Sequence, residues 1–250
     1  MQKNRIVILS TKSLDSELIT RAEAHGILLE ELSFVRTEGI SSPKMRKKIN
    51  DVSRSPGIVV FTSKNAVEIV ATELGRNKPD PVAVGWKIFC LGYATRQLVE
   101  KYFQKELIGG TAQNARKLAE IIVHKKIQKI IFFSGDQRRN ELPDLLREAD
   151  IGVDEIVVYQ TIVTPQRIER TYDGILFFSP SAVKSFFEKN KLESRTVLFA
   201  IGNTTADEIR RFLPAVRKDL KNKIIVSDEP EAELLLHKAI HYFQMNRIHH

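Results

Sequence analysis

Ser10 to Thr37, opening S-T-K-S-L-D-S-E-L, runs against Ser134 to Thr161, opening S-G-D-Q-R-R-N-E-L, at a constant offset of 124 residues. Further along, Phe61 to Val67 (F-T-S-K-N-A-V) matches Phe177 to Val183 (F-F-S-P-S-A-V) at an offset of 116. Leu91 to Thr95 (L-G-Y-A-T) then matches Ile201 to Thr205 (I-G-N-T-T) at 110. Three matches in one order, their offsets drifting only by small indels, mark an internal duplication. A period near half of the 250-residue chain is too long for a solenoid and predicts two homologous lobes. Two lobes imply a cleft, and clefts between domains are preferred places for small-molecule sites.

Between the repeated motifs, short apolar runs alternate with amphipathic stretches. Strands are predicted over 5–10, 28–35, 57–61, 87–91, 129–134, 154–160, 174–178, 196–201 and 223–227. Most are rich in Ile, Val, Leu and Phe without polar alternation, the pattern of parallel strands buried on both faces. Helices are predicted over 14–24, 65–74, 95–103, 112–124, 142–149, 182–189, 205–212 and 232–243. The alternation predicts an α/β chain with a doubly wound parallel sheet in each lobe. Asn77-Lys78-Pro79-Asp80-Pro81 reads as a rigid loop inside the first copy, so the lobe boundary falls at strands. Residues 30–37 and 154–161 occupy equivalent places and precede breaks at Gly39 to Pro43 and at Thr164-Pro165. The repeat permits, without requiring, that they form a two-stranded connector.

With 42% hydrophobic and 28% charged residues the chain can pack cores and keep a polar surface, and no run approaches the roughly 20 apolar residues of a membrane span. Met1-Gln2-Lys3-Asn4-Arg5 leads into Ile6 to Leu9, too short for a signal-peptide core and read as the first strand. The single cysteine, Cys90, allows no intrachain disulfide and fits a reducing, cytoplasmic setting. The formal charge of +8 includes the clusters Met45-Arg46-Lys47-Lys48 and His124-Lys125-Lys126. These serve either as solvated helix faces or as attraction for an anion. No nucleic-acid module accompanies them, and a small polyanionic metabolite explains the modest excess as well as nucleic acid would.

Candidate chemistry falls where strands end and helices begin, the ligand edge of an open α/β sheet. Phe61-Thr62-Ser63-Lys64-Asn65, Leu91-Gly92, Phe178-Ser179-Pro180-Ser181 and Ile201-Gly202-Asn203-Thr204-Thr205 are such turns. Each presents helix N–H groups suited to carboxylates or phosphates, or simply carries an ordinary N-cap. Phosphate-loop, dinucleotide and nucleophile-elbow signatures are absent. Gly109-Gly110-Thr111 reads as a turn, and His237 with His241 as an exposed pair rather than a metal site. His249 and His250 read as frayed. Asp136, Glu141 and Asp144 read as a first helical turn suited to the dipole, and Arg138-Arg139 as a solvated pair or an anion contact. Tyr159, whose counterpart in the first copy is Val35, is either a packing residue or a phenol placed beside a ligand. There it could donate a proton to a leaving group.

Taken together, these motifs resemble the uroporphyrinogen-III synthase family, from about Ile6 to about Phe243. The resemblance rests on F-T-S-K-N-A-V at Phe61, L-G-Y-A-T at Leu91, G-D-Q-R-R-N-E-L at Gly135 and E-I-V-V-Y-Q-T at Glu155. It continues through F-F-S-P-S-A-V at Phe177, A-I-G-N-T-T-A at Ala200 and S-D-E-P-E-A-E-L-L at Ser227. It implies two homologous doubly wound parallel-sheet lobes joined by a two-stranded β-ladder: an end-built lobe from 1–35 and 162–250, and a middle lobe from 38–160. It further implies a monomeric, cytoplasmic enzyme that uses no cofactor or metal, with no nucleic-acid or membrane partner. That enzyme would close hydroxymethylbilane, an octacarboxylate, into uroporphyrinogen III with loss of water and inversion of the last pyrrole. Tyr159 maps onto the family's tyrosine. Thr62, Ser63, Ser179, Ser181, Thr204 and Thr205 map onto its hydroxyls, with Asn65, Gly92 and Gly202 in the same turns. The chain departs from the family pattern at Tyr93, at Thr95-Arg96 and at Asp136-Gln137, which shifts the expected grip towards the end-built lobe. The alternatives are a non-catalytic bilobal binding protein of periplasmic-receptor type and, more weakly, a two-lobed glycosyltransferase.

Overall fold

The computed structural model describes residues 5–75, 84–193, 195–216 and 222–247. The loop from Asn77 to Pro81, the start of the chain through Asn4, and His249 and His250 lie outside them. In chain order the elements are β1 (Ile6–Ser10), α1 (Ser16–Ala24), β2 (Ile27–Glu31), β3 (Val35–Gly39), α2 (Pro43–Ser53), β4 (Gly57–Phe61), α3 (Lys64–Glu73) and β5 (Trp86–Leu91). Then come α4 (Tyr93–Phe103), β6 (Ile108–Ala112), α5 (Ala115–His124), β7 (Lys129–Gly135), α6 (Glu141–Glu148) and β8 (Gly152–Val163). The last are β9 (Gly174–Phe177), α7 (Pro180–Lys189), β10 (Val197–Ala200), α8 (Asn203–Val216), β11 (Ile224–Val226) and α9 (Ala232–Arg247).

Two compact units result. One holds the chain up to Arg36 and from Ile162 onward; the other is Thr37–Thr161. The end-built unit carries a five-stranded sheet in the order β11-β10-β9-β1-β2, and the middle unit a six-stranded sheet in the order β3-β8-β7-β4-β5-β6. Matched through the repeat offsets, β6-β5-β4-β7-β8 is the same sheet as β11-β10-β9-β1-β2, with β3 added at its edge. Each sheet therefore mixes strands of both copies: two from the first and three from the second in the end-built unit, four from the first and two from the second in the middle unit. The backbone repeats too: Gly26 (φ 70°) after α1 and Asp150 (φ 57°) after α6 take left-handed conformations at positions 124 residues apart.

Both units are doubly wound because successive side chains of a strand face opposite layers. Val59 and Phe61 of β4 pack towards α3 and α4, where Phe61 stacks on Phe133 at 5.5 Å, while Val60 packs towards α5 and α6. In the end-built unit Val7 and Leu9 face α7 and α8, and Ile8 faces α1 and α9. In each sheet the chain reverses its direction of strand addition once, between β9 and β1 and between β4 and β7. These are the switch points at which open α/β sheets bind ligands.

Two expectations are corrected. Residues 28–35 are not one strand: after Leu32 N–H bonds the Ser10 carbonyl at 3.0 Å, the chain turns so that Phe34 is fully buried, edge-on to Phe186 at 5.3 Å. Beyond it the chain joins the other sheet as β3, beside β8, with Ile40 N–H donating to the Val158 carbonyl at 2.8 Å. The connector strands β3 and β8 are thus neighbours, with β3 forming the edge of the six-stranded sheet. Gly109 and Gly110 are not a turn but lie within edge strand β6. A Cβ on Gly109 would come within 2.8 Å of Phe89 and Lys87, so the missing side chains make room for the Phe89 ring over the strand.

Candidate active site

At the switch point of the middle unit, β4 ends in Phe61 and the chain turns through Thr62 and Ser63 into α3. Ser63 is extended (φ −143°) in the N-cap position, yet its side chain makes no capping bond. Its Oγ instead accepts the Tyr159 hydroxyl at 3.0 Å. Asn65, on the first turn of α3, donates to Thr37 Oγ1 on β3 at 3.1 Å. Beside this turn, since Phe61 pairs with Cys90, β5 leads into α4 through Gly92. Gly92 has φ 81°, donates to the Ala112 carbonyl at 2.8 Å and has no atom within 4 Å of where a Cβ would stand. No side chain caps α4 either. Two neighbouring helix N-termini without side-chain caps therefore open at the carboxyl edge, an arrangement suited to carboxylates. Tyr93, at the head of α4, is 73% exposed.

Tyr159 reaches this point from β8. Its ring stands where a side chain on Gly135 would be, 2.2 Å from an ideal Cβ there. The β7–β8 register shifts by one residue at this place: Ser134 pairs with Val157 but Gly135 with Tyr159. Such bulges re-aim side chains. The loop after β7 is fastened to the same strand, Asp136 N–H donating to the Tyr159 carbonyl at 3.0 Å and Asp136 Oδ1 accepting Thr161 N–H at 2.9 Å. Asp136 therefore ties a loop and does not decorate a helix, whereas Glu141 and Asp144 do lie in the first turn of α6. Arg138 is not a solvated cation. It is half-buried and bonds Glu155, with Nε at 2.7 Å from Oε2, and Arg147 bonds the other oxygen of that carboxylate. Burial alone would raise the Glu155 pKa. The hydrogen bonds and charges of Arg138 and Arg147 outweigh it and hold the carboxyl below the usual range.

In the end-built unit, Ser179 does cap α7, its Oγ accepting Ala182 N–H at 3.1 Å. Ser181, on the same turn, is buried. Gly202 opens α8, its carbonyl accepting N–H from Thr205 (3.1 Å) and Ala206 (3.0 Å), with open space where its Cβ would stand. Thr204 is exposed, while Thr205 is 1% exposed and its Oγ1 has no hydrogen-bond partner. Phe177 pairs with Ala200, so the α7 and α8 turns are neighbours. Across this switch point Lys12 Nζ lies 4.5 Å over the Phe178 ring, adding a cation to the edge.

The structure thus gathers Thr62, Ser63, Asn65, Gly92 and Tyr159 at one edge, and Ser179, Ser181, Gly202, Thr204 and Thr205 at the equivalent edge of the other unit. Sequence reading overlooked Gly135 and the Arg138–Glu155–Arg147 cluster. The signal for the first was present: the repeat pairs Gly135 with Thr11 where it pairs Tyr159 with Val35. Both His237 and His241 are exposed, and among the described residues no group of three or more His, Cys, Asp or Glu is arranged to hold a metal. No helix among the described residues is long and apolar enough to cross a membrane.

Two doubly wound units with polar turns at both switch points define a duplicated α/β architecture, and one of its sheet edges carries a phenol. Among known proteins, the family described as Uroporphyrinogen-III synthase HemD matches residues 16–233. A uroporphyrinogen-III synthase of Schizosaccharomyces pombe is 23% identical over 223 residues, 82% of this chain and 86% of that one. Two solved structures share the fold. A mutant uroporphyrinogen III synthase from Thermus thermophilus has a TM-score of 0.58 at 16% identity, covering 96% of this chain and 99% of its own. The uroporphyrinogen-III synthetase of Helicobacter pylori has 0.61 at 14%, covering 95% and 99%. The chain belongs to the uroporphyrinogen-III synthase family of tetrapyrrole biosynthesis. Membership decides against the binding-protein and glycosyltransferase alternatives.

Proposed function

We propose that this protein closes hydroxymethylbilane into uroporphyrinogen III as a cofactor-independent lyase, monomeric and cytoplasmic, with no nucleic-acid or membrane partner. The observation that carries the reading is the Tyr159 phenol, held 3.0 Å from Ser63 beside two helix N-termini that no side chain caps. An octacarboxylate suits those amides, the Lys12 cation and the net charge of +8. Tyr159 protonates the departing hydroxyl, which leaves as water and generates the electrophilic azafulvene. The last pyrrole then inverts through a spiro intermediate before the ring closes. Closure without the protein yields the symmetric type I isomer, so the task is to position the chain and exclude the competing geometry. Thr62, Ser63, Asn65 and Gly92 in the middle unit, and Ser179, Gly202 and Thr204 in the end-built unit, supply the grip. Ser181 and Thr205, whose side chains are buried, contribute through the first turns of α7 and α8.

The test is to incubate the purified protein with freshly generated hydroxymethylbilane, oxidise the products and separate the type I and type III porphyrins. Predominantly type III is expected. Type I at the rate without protein, from folded material, would overturn the proposal.

A further inference from the structure

We infer that Gly135 is a positioning residue for Tyr159, the one place on β7 where the absence of a side chain lets the phenol cross the sheet to Ser63. The strand order puts β7 between β8, which carries Tyr159, and β4, which leads to Ser63. Neighbouring strands lie about 4.8 Å apart, so the phenol spans roughly two strand spacings. It can do so only by lying across the end of the middle strand. There Gly135 is the residue paired with Tyr159, and an ideal Cβ on it would stand 2.2 Å from Cε2, 2.3 Å from Cζ and 2.8 Å from the hydroxyl oxygen. No β-carbon tolerates such contacts, and the element free to yield is the ring, since Gly135 is paired in the sheet. Any side chain here therefore lifts the hydroxyl away from Ser63.

The chain's own duplication supports this independently. At the positions matched by the repeat the first copy has Thr11 and Val35, whereas the second has Gly135 and Tyr159. The glycine stands in the copy that carries the aromatic ring. The inference rests on the proposed acid role of Tyr159, and its test separates the two.

Full-length wild type, G135A, Y159F and G135A/Y159F are assayed with fresh hydroxymethylbilane for kcat, KM and type III yield, with thermal midpoints measured alongside. The expected result is a fall in kcat for G135A on the order of 10- to 100-fold, with KM changed less than about threefold. G135A/Y159F should be no slower than Y159F alone, because both substitutions remove the same placed hydroxyl. A merely structural role would instead add its loss to that of Y159F. Wild-type kcat in G135A, or an additive loss in the double variant, overturns the inference while the function stands. A wild type that yields no type III product overturns both. Should G135A not fold, the pair G135T/Y159V, which copies Thr11 and Val35, decides. Recovered folding identifies the ring as what a Cβ meets, and failure to recover refutes it.

Discussion

Ser63 and Ser179 stand at equivalent positions in the two copies, each between a strand and a ten-residue helix, yet their hydroxyls do different work. Ser179 caps its own helix by accepting Ala182 N–H, while Ser63 leaves α3 without a side-chain cap and receives the Tyr159 phenol. In the middle unit the phenol that takes up the serine comes from two strands away, across Gly135; at the positions matched by the repeat the other copy has Thr11 and Val35, and Val35 lies on β3 in the other sheet. The duplication gives two similar scaffolds with helix N-termini at the carboxyl edges of their sheets. Gly135 and Tyr159 bring a phenol to one edge, and at the other the serine makes an ordinary cap. Function here sits on a fold that does not itself require it.

The largest expected effect breaks this asymmetry outright. Y159F should lower kcat on the order of 100-fold while leaving the type III preference, since a positioned acid contributes roughly that much and the shaping of the substrate does not depend on it. Full rate in a normally folded Y159F would remove the acid role. Next in size is the alkaline behaviour of the end-built unit. Tyr172 is buried and donates to Glu30 at 2.8 Å, and burial, followed by that bond and the Glu30 charge, pushes its pKa up to about 12. Between pH 10 and 12 the unfolded chain has lost this proton and the folded one keeps it, so the contribution is complete below 10 and is lost as pH rises towards 12. Its upper bound is roughly 2–3 kcal/mol. Denaturation midpoints across this range should fall more steeply for wild type than for Y172F; equal slopes would refute the assignment. Smaller still is the serine pair itself. S179A should cost about 1 kcal/mol as a lost cap. S63A should cost less than about 0.5 kcal/mol but slow turnover several-fold. Equal stability losses in the two variants would mean that the serines are not differentiated.

Much of this was legible in the sequence. The apolar runs located nine of the eleven strands among the described residues because most parallel strands buried on both faces carry few polar residues to blur them, and the hydroxyl-rich turns do fall at the carboxyl ends of strands. What was missed depends on contacts distant in sequence. Residues 28–35 look like one strand because Phe34 is as apolar as its neighbours. Only the packing of Phe34 against Phe186 shows that the chain turns there. Gly109-Gly110 reads as a turn until Phe89, twenty positions away, is seen to need the space. Tyr159 and Ser63 are 96 positions apart, and their meeting depends on the order β8-β7-β4, which no local pattern encodes.

The smallest expected effect concerns the acid side and belongs to the middle unit, opposite in sign to the Tyr172 effect. Glu155 lies four residues before Tyr159 on β8 and anchors Arg138 from the loop after β7 and Arg147 from α6. Its carboxyl is held below the usual range by those two guanidiniums, against the opposing effect of burial. An unfolded glutamate takes up its proton near pH 4.3, and the folded one only at lower pH. The unfolded chain therefore binds more protons in that window. The stabilisation is complete above about pH 4.3 and is lost as pH falls through the folded value. In E155Q the acid limb of the stability profile should be shallower than in wild type, while the alkaline limb set by Tyr172 is unchanged. If E155Q altered the alkaline limb, or left the acid limb as it was, the two pH limits could not be assigned to separate units. Because Asp136 and the Tyr159 backbone fasten the same loop, turnover near neutrality should fall less in E155Q than in G135A. That ordering distinguishes a residue that anchors the loop from one that leaves room for the ring.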